Sequence, residues 1–215
     1  MRLIIGNKNY SSWSFRAWLP LRVAGIPFEE DLRPFDLEND FASYREFSPT
    51  GRVPVLLDRG QTLWESIAIL EYVAERNPDA NLWPSDEDAR SHGRCISHEV
   101  HSGFTALRNA CPMNMRRRIE SIPVTDAVRW DADRVVRIWT DCLARFGGPF
   151  LLGSAFTIAD AMYAPMINRL RAYELSRAPA VLSYTETMAQ LPAWKAWVAA
   201  SKAEPWVVPV DEVYA

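Results

Sequence analysis

The 215-residue chain has few cysteines, no long hydrophobic run and no excess of positive charge. Its three cysteines are an odd number without a CxxC pair, which predicts free thiols in a reducing, cytoplasmic location rather than a disulfide framework. No apolar run approaches the roughly 18–20 residues of a membrane span, and the N-terminal apolar stretch is too short for a signal peptide. With 24 basic against 27 acidic residues, the composition argues against nucleic acid as the main partner.

Several short motifs that mark common enzyme classes are also missing. The chain has neither GxGxxG nor GxxxxGK[ST], so no loop is recognisable as a cradle for nucleotide phosphates. It lacks GxSxG as well, which weakens a hydrolase interpretation of its serines. His92, His98 and His101 lie on one predicted helix with Glu99, but the further ligands and shielding that a metal needs are not evident. No metal site is therefore expected.

The hydrophobic pattern divides the chain into two parts of different character. Residues 1–78 alternate predicted strands and helices in the βαβαββα order of a thioredoxin-like domain. Residues 79–87 are polar and contain proline, as is typical of a linker. Residues 88–215 show helical patterns without a convincing strand. The predicted fold class is therefore an α/β domain followed by an all-helical C-terminal domain.

Boundary signals locate the individual elements. Strands are predicted near residues 2–5, 28–32, 53–57 and 62–64, and the last two form a hairpin. Helical stretches of the second part are predicted at residues 90–110, 125–146, 160–173, 181–190 and 193–203. Thr157 and Asp160 form a capping box that opens one of these helices. Pro20 predicts a kink in the first helix or a later start.

Polar side chains lie at the start of two predicted helices in the first part. Ser11 and Ser12 follow the first strand, at a position where backbone N–H groups and the helix dipole favour an anion. Glu65 and Ser66 open a later helix, where a hydroxyl and free amides would equally hold a carboxylate. In both places simple N-capping is the alternative, since serine caps helices of any function.

A proline near the start of the third predicted strand is a further indication of a binding site. Pro54 cannot donate to a strand ladder, so it fits an edge strand. A cis Val53–Pro54 bond would instead leave the preceding backbone free to pair with a bound peptide. Both interpretations are open on the residues alone.

The order and spacing of these features resemble the cytosolic glutathione transferases across essentially the whole chain. The motifs that carry the resemblance are SSWSFR at residues 11–16, SPTGRVPVL at 48–56, ESIAILEY at 65–72 and TIADA at 157–161. The serine-type first motif is most similar to the zeta, tau and related bacterial classes. The stretch at residues 101–114 resembles a bacterial subgroup of uncertain substrate.

The resemblance implies that glutathione is the substrate or cosubstrate and that a serine activates its thiol. Ser11 falls on the family's catalytic serine, with Ser12 as the alternative one residue further on. The hydroxyl would donate a hydrogen bond to the sulfur and so favour the thiolate. Because the first motif contains no cysteine, a reaction through a mixed disulfide is not expected.

The same resemblance assigns the remaining site residues. Val53 would pair its backbone with the cysteinyl part of glutathione, and Arg52 would lie near the glycyl end. Glu65 and Ser66 would hold the γ-glutamyl end. Three residues are expected to line the pocket of the second substrate: Trp13, His101 and Asn114.

Three functions are compatible with this set of residues. The first is a glutathione S-transferase that joins glutathione to a small hydrophobic electrophile. The second is a glutathione-dependent cis-trans isomerase of the maleylacetoacetate type, which would not consume glutathione. The third is a non-catalytic binding protein on the same fold. The resemblance also predicts a homodimer.

Overall fold

A four-stranded mixed sheet organises the N-terminal part of the chain, in a computed structural model that describes residues 1–35 and 37–213. The strands are β1 (Arg2–Ile5), β2 (Glu29–Leu32), β3 (Val55–Asp58) and β4 (Gln61–Trp64), in the order β2-β1-β3-β4. β1 and β2 are parallel, and the other neighbours are antiparallel. The predicted hairpin is confirmed.

Helices cover the sheet and connect its strands. α1 (Ser12–Val23) joins β1 to β2, because parallel neighbours need a crossover connection. A short 3₁₀ helix (Ala42–Glu46) precedes β3, and α2 (Ser66–Arg76) follows β4. The thioredoxin-like order expected from the sequence is confirmed, with the second helix in 3₁₀ form.

The second part of the chain consists of helices in the described residues up to 213. They are α3 (Glu87–Ser102), α4 (Thr105–Ala110), α5 (Asp126–Phe146), α6 (Ile158–Ala172), α7 (Pro179–Gln190) and α8 (Pro192–Ala203). The prediction of one unbroken helix over residues 90–110 is wrong. Gly103 is extended and Phe104 is left-handed (φ 61°), so the chain turns between α3 and α4. The domain boundaries at residues 78 and 87 stay a prediction.

The predicted capping box lies at the start of α6. The Asp160 carboxylate accepts hydrogen bonds from the backbone N–H (2.8 Å) and the hydroxyl (3.0 Å) of Thr157. In α1 the prediction of a later helix start is wrong, because the helix begins at Ser12 and continues through Pro20.

One hydrophobic core extends through both parts. Phe15 and Leu19 of α1 belong to the same buried cluster as Met162 and Met166 of α6, so the sheet domain and the helical domain share an interior. None of the helices in the described ranges is long and apolar enough to cross a membrane. Residues of both parts line one cleft, where the candidate site lies.

Candidate active site

A cleft of about 660 Å³ lies between the N-terminal loops and helices α4 and α6. A smaller pocket of about 70 Å³ adjoins it, and both cavities are lined by Trp13, Thr50, Arg52 and Val53. Ser11 and Ser12 line the cleft, whereas Glu65 and Ser66 line the small pocket. The structure thus brings seven of the nine predicted site residues around one continuous cavity.

The two serines have different hydrogen-bonding positions at the N-terminus of α1. Ser11 is the N-cap: its Oγ accepts from the Ser14 N–H (3.3 Å) and donates to Ser14 Oγ (2.7 Å). Ser14 Oγ in turn accepts from the Gly6 N–H at 3.0 Å. Ser12 is the first helical residue, 6% exposed, and its hydroxyl has no hydrogen bond within the described residues. Ser11 is therefore held in place, while Ser12 is free to turn.

The backbone before β3 is fixed so that Val53 faces the cavity. Ser48 Oγ accepts from the Arg52 N–H (3.0 Å) and donates to the Arg52 carbonyl (2.7 Å), which locks the turn at its base. The Val53–Pro54 bond is cis, as one interpretation of the sequence expected. Val53 precedes β3 and has no backbone partner in the described part of the chain. Its N–H and carbonyl are thus available to a ligand.

Glu65 and Ser66 combine a carboxylate with the N-terminus of α2. Glu65 has a positive φ of 66°, a strained conformation for a residue that is not glycine. Ser66 is fully buried, and its hydroxyl makes one weak contact, 3.9 Å, with Met162 Sδ. Such a conformation persists where the surrounding structure imposes it. Here Glu65 and the first residue of α2 both line the small pocket, at a helix N-terminus that favours an anion.

His101 connects Glu65 with Trp13. Its Nε2 lies 3.4 Å from Glu65 Oε2, and its ring meets the Trp13 ring edge-on, with centroids 5.1 Å apart. Burial lowers the pKa of His101, although the Glu65 charge opposes that shift, so the imidazole is neutral at neutral pH. His101 contacts the wall of the cavity without lining it.

Two arginines lie over the Trp13 ring. The guanidinium carbons of Arg16 and Arg108 are 4.4 and 4.9 Å from a Trp13 ring centroid, within the range of cation–π contacts. Arg16 is fully buried and donates to the Met162 carbonyl at 2.9 Å. Burial and the charge of Arg108 hold the pKa of Arg16 well below its usual range, and burial lowers the pKa of Arg108 to about 10.

The cleft carries more positive than negative side chains. Its lining contains four arginines and two aspartates: Arg45, Arg52, Arg108, Arg169, Asp40 and Asp211. Arg169 of α6 is 4% exposed, and burial lowers its pKa to about 10. Sequence reasoning missed Arg169 and Asp211, neither of which belongs to a motif.

Asn114 lies outside the residues that line the two cavities. Its carboxamide oxygen accepts from Asn9 Nδ2 (3.0 Å) and from the N–H groups of Arg116 (3.0 Å) and Arg117 (3.1 Å). These contacts tie the loop after α4 to the loop before Ser11. The pocket role assigned to Asn114 stays a prediction.

Comparison with known proteins gives the family. A model of the glutathione S-transferase N-terminal domain matches residues 10–76, and a model of the C-terminal domain matches residues 123–200, together more than half of the chain. The chain belongs to the glutathione S-transferase family.

Relatives of this family member carry names of two kinds. A probable maleylacetoacetate isomerase of Caenorhabditis elegans is 29% identical over 186 residues, 86% of this chain and 87% of the relative. A glutathione transferase homologue from Burkholderia BGR1, solved with bound glutathione, has a TM-score of 0.71 and 25% identity over 94% of this chain and 98% of that one. A bacterial maleyl pyruvate isomerase described as zeta class shares the fold, with a TM-score of 0.70, 20% identity and coverage of 97% and 100%.

The described residues contain no group of three or more histidine, cysteine or acidic side chains placed to hold a metal ion. The polar groups that line the two cavities are hydroxyl, amide, carboxylate and guanidinium groups.

Proposed function

We propose that this protein binds glutathione in the continuous cavity and activates its thiol as the thiolate for attack on a small electrophile. The observation that carries the proposal is the junction of the two cavities. The small pocket has Glu65 and the α2 N-terminus at its closed end, and the cleft has the serine pair at the α1 N-terminus. A γ-glutamyl tripeptide has its charged end and its thiol in the same order.

The small pocket supplies partners for the γ-glutamyl end. The N–H groups at the start of α2 and the Ser66 hydroxyl suit the α-carboxylate, since a helix N-terminus favours an anion. The Glu65 carboxylate suits the α-ammonium group. Because the neighbouring His101 is neutral, it leaves the charge of Glu65 uncompensated for that ammonium.

The backbone of Val53 suits the cysteinyl peptide unit. Its unpaired N–H and carbonyl would form two strand-like hydrogen bonds with the extended peptide. This pairing places the cysteinyl side chain toward Ser11 and Ser12 in the cleft. Arg52, exposed beside Val53, is then the cation nearest the glycyl carboxylate.

We assign the hydrogen bond to the sulfur to Ser11. Its oxygen is held by the Ser14 amide, and its proton needs only to turn from Ser14 Oγ to the sulfur. A free thiol has a pKa near ~8.5, and lowering it by about two units takes roughly 2.7 kcal/mol. One charge-assisted hydrogen bond, the α1 N-terminus and the arginines of the cleft together supply that amount.

The experiment is a pH titration of the thiolate absorbance of bound glutathione. The wild type is expected to show a thiol pKa of about 6.5, and Ser11→Ala is expected to return it toward ~8.5. Ser12→Ala is the matched control, because it makes the same chemical change at the same helix end, and it is expected to move the pKa by less than about 0.5. Thermal unfolding of both variants shows whether loss of the N-cap has affected folding at the assay temperature.

Two results would contradict this assignment. A pKa shift lost in Ser12→Ala and kept in Ser11→Ala would transfer the donor role to Ser12. A bound thiol with an ordinary pKa in the wild type would remove the mechanism and leave the non-catalytic binding protein.

A second candidate function is favoured by the arginines. Arg108 and Arg169 line the cleft beside the serines, so an electrophile that carries a carboxylate fits it better than a purely apolar one. In an isomerase the thiolate adds to a conjugated cis double bond, the single bond formed rotates, and the thiolate leaves again. Total glutathione, measured after complete turnover of a carboxylated cis-enone, separates the two: conjugation consumes one equivalent and isomerisation consumes none.

We also propose a homodimer, as is usual for the family. The expected result is a solution mass of twice 24.5 kDa at micromolar concentration. A mass of one chain under the same conditions would refute it.

A further inference from the structure

The end of the chain crosses one side of the cleft. Residues 204–213, here called the C-terminal strap, follow α8 and return to the loop that leads into Ser11. The Glu204 carboxylate accepts from the backbone N–H groups of Lys8 (2.6 Å) and Asn9 (3.0 Å). These bonds fasten the start of the strap to the base of the candidate active site.

Two further side chains, those of Arg116 and Tyr10, fasten the strap. Arg116 donates to the carbonyls of Glu204 (2.6 Å) and Trp206 (2.7 Å) and to the hydroxyl of Tyr10 (2.8 Å). The Tyr10 hydroxyl itself donates to the Glu212 carboxylate at 2.5 Å. Asp211, held between these anchors, forms part of the cleft lining.

Arg169 is a buried cation in the same cleft lining as Asp211. It is 4% exposed, its Nη1 makes a long contact of 3.5 Å with the Pro165 carbonyl, and its Nε has no partner in the described chain. No ion pair within 4.0 Å joins it to Asp211 in the described residues. Arg108 adds a second positive charge to the same lining.

The charges of Arg169 and Asp211 shift each other's pKa, although the two side chains form no ion pair. Burial raises the pKa of Asp211 to about 6, and the charge of Arg169 opposes that shift. At neutral pH the Asp211 carboxylate is therefore ionised for most of the time. A ligand group that enters this end of the cleft meets an incompletely bonded guanidinium on one side and a carboxylate on the other.

We propose that Asp211 and Arg169 form a charge-selective subsite in which Asp211 limits how much negative charge the electrophile can bring into the cleft. Arg169 attracts one carboxylate, and Asp211 repels it or any further negative group. The proposal rests on the proposed function, because it describes the second-substrate end of the same cavity. Asp211 is thus a specificity-determining residue that is supplied by the strap rather than by any of the helices.

The test compares ligands that differ only in charge. S-(3-carboxypropyl)glutathione and its carboxamide are matched in shape, and S-carboxymethylglutathione with its carboxamide repeats the comparison at a shorter reach. Calorimetry gives the ratio of carboxylate to carboxamide affinity for each chain length. In Asp211→Asn this ratio is expected to rise about five- to tenfold for at least one chain length, as the Coulomb energy of one nearby charge requires.

Glu212→Gln is the matched control, because it removes the same charge one residue further along the strap and outside the cleft lining. Because the charge of Glu212 also acts on Asp211, this variant is expected to raise the ratio by much less than Asp211→Asn does, and Arg169→Met is expected to lower it. An unchanged ratio in Asp211→Asn, or an equal rise in Glu212→Gln, would overturn the proposal. A gain for the carboxamides as large as that for the carboxylates would overturn it as well, because it would indicate a loosened strap.

Benzoate and benzamide give an arm that does not depend on glutathione. Their binding, followed by quenching of tryptophan emission, is expected to show the same rise of the anion ratio in Asp211→Asn. If neither glutathione nor its conjugates bind the wild type, the proposed function fails, and the benzoate ratio alone then decides for or against the charge-selective subsite.

Discussion

Removing the Asp160 carboxylate should cost more stability than any other single acidic substitution we consider. Asp160 is fully buried at the start of α6, where its Oδ1 accepts from the Leu151 N–H (2.9 Å) and the Tyr184 hydroxyl (3.0 Å). Its Oδ2 accepts from the N–H (2.8 Å) and hydroxyl (3.0 Å) of Thr157. One side chain therefore satisfies two backbone and two hydroxyl donors.

The expected magnitudes follow from these four hydrogen bonds. Asp160→Asn replaces one acceptor oxygen by an NH₂ group, so one backbone N–H is left without an acceptor and one hydroxyl must turn. An unsatisfied buried donor costs about 1–3 kcal/mol and a lost neutral bond about 1 kcal/mol, which gives a loss of about 2–4 kcal/mol. Asp160→Ala leaves both N–H groups unsatisfied and should cost about 3–5 kcal/mol. Tyr184→Phe removes one hydroxyl donor and should cost about 1 kcal/mol.

Urea unfolding, followed by total tryptophan emission, to which the buried Trp139 and Trp197 contribute, measures these differences at one fixed protein concentration. Thermal unfolding should show a decrease in Tm of roughly 6–12 °C for Asp160→Asn in a chain of this size. Asp133→Asn, an exposed carboxylate on α5, is the control and should stay within about 0.5 kcal/mol. An Asp160→Asn variant that is equally close to the wild type would refute the hydrogen-bond argument.

Two further predictions concern thiols and packing. Burial raises the pKa of Cys111 to about 11 and of Cys142 to about 12, whereas Cys95 is exposed. A disulfide reagent should therefore label one thiol per native chain and three after denaturation. Two thiols that react at the same rate in the native protein would contradict this. Gly93→Ala should lower the free energy of unfolding by about 1–2 kcal/mol in urea, because the new Cβ would lie 2.5 Å from Leu152 Cδ1. This cost outweighs the helix preference of alanine. A gain in stability would show that the Leu152 side chain moves aside freely.

The features that the sequence predicts correctly are those with local causes. The capping box of Thr157 and Asp160 needs two side chains three residues apart, and the structure has both at the start of α6. Ser11 caps α1 through the amide of Ser14, again three residues away. Such contacts recur wherever the spacing recurs, so a single sequence suffices to expect them.

The break between α3 and α4 was missed for a physical reason. A single glycine is tolerated inside a helix, and the pattern around Gly103 continues on both sides. What ends α3 is the left-handed conformation of Phe104, a buried residue whose φ of 61° is set by packing and not by its own preference. No neighbouring residue in the sequence indicates that Phe104 adopts this conformation.

The cluster of buried arginines could not be predicted from the sequence, because helices that are distant along the chain bring it together. Arg16, Arg108 and Arg169 stand on three different helices, and each belongs locally to an unremarkable helical pattern. Only the packing of α1 on α6 and the turn after α3 bring them together, and none forms an ion pair with a carboxylate within the described residues.

Burying three guanidinium groups without such partners is costly for folding, and their depressed pKa values record that cost. Buried charges normally have a partner of opposite charge, and exceptions to this rule are common at functional sites. Here a thiolate or a carboxylate that binds in the cleft would supply the missing negative charge. Under the proposed function, the buried arginines and the serine pair together favour the anionic form of a bound thiol over its neutral form. Asp211 then limits how far the same field extends to the second substrate.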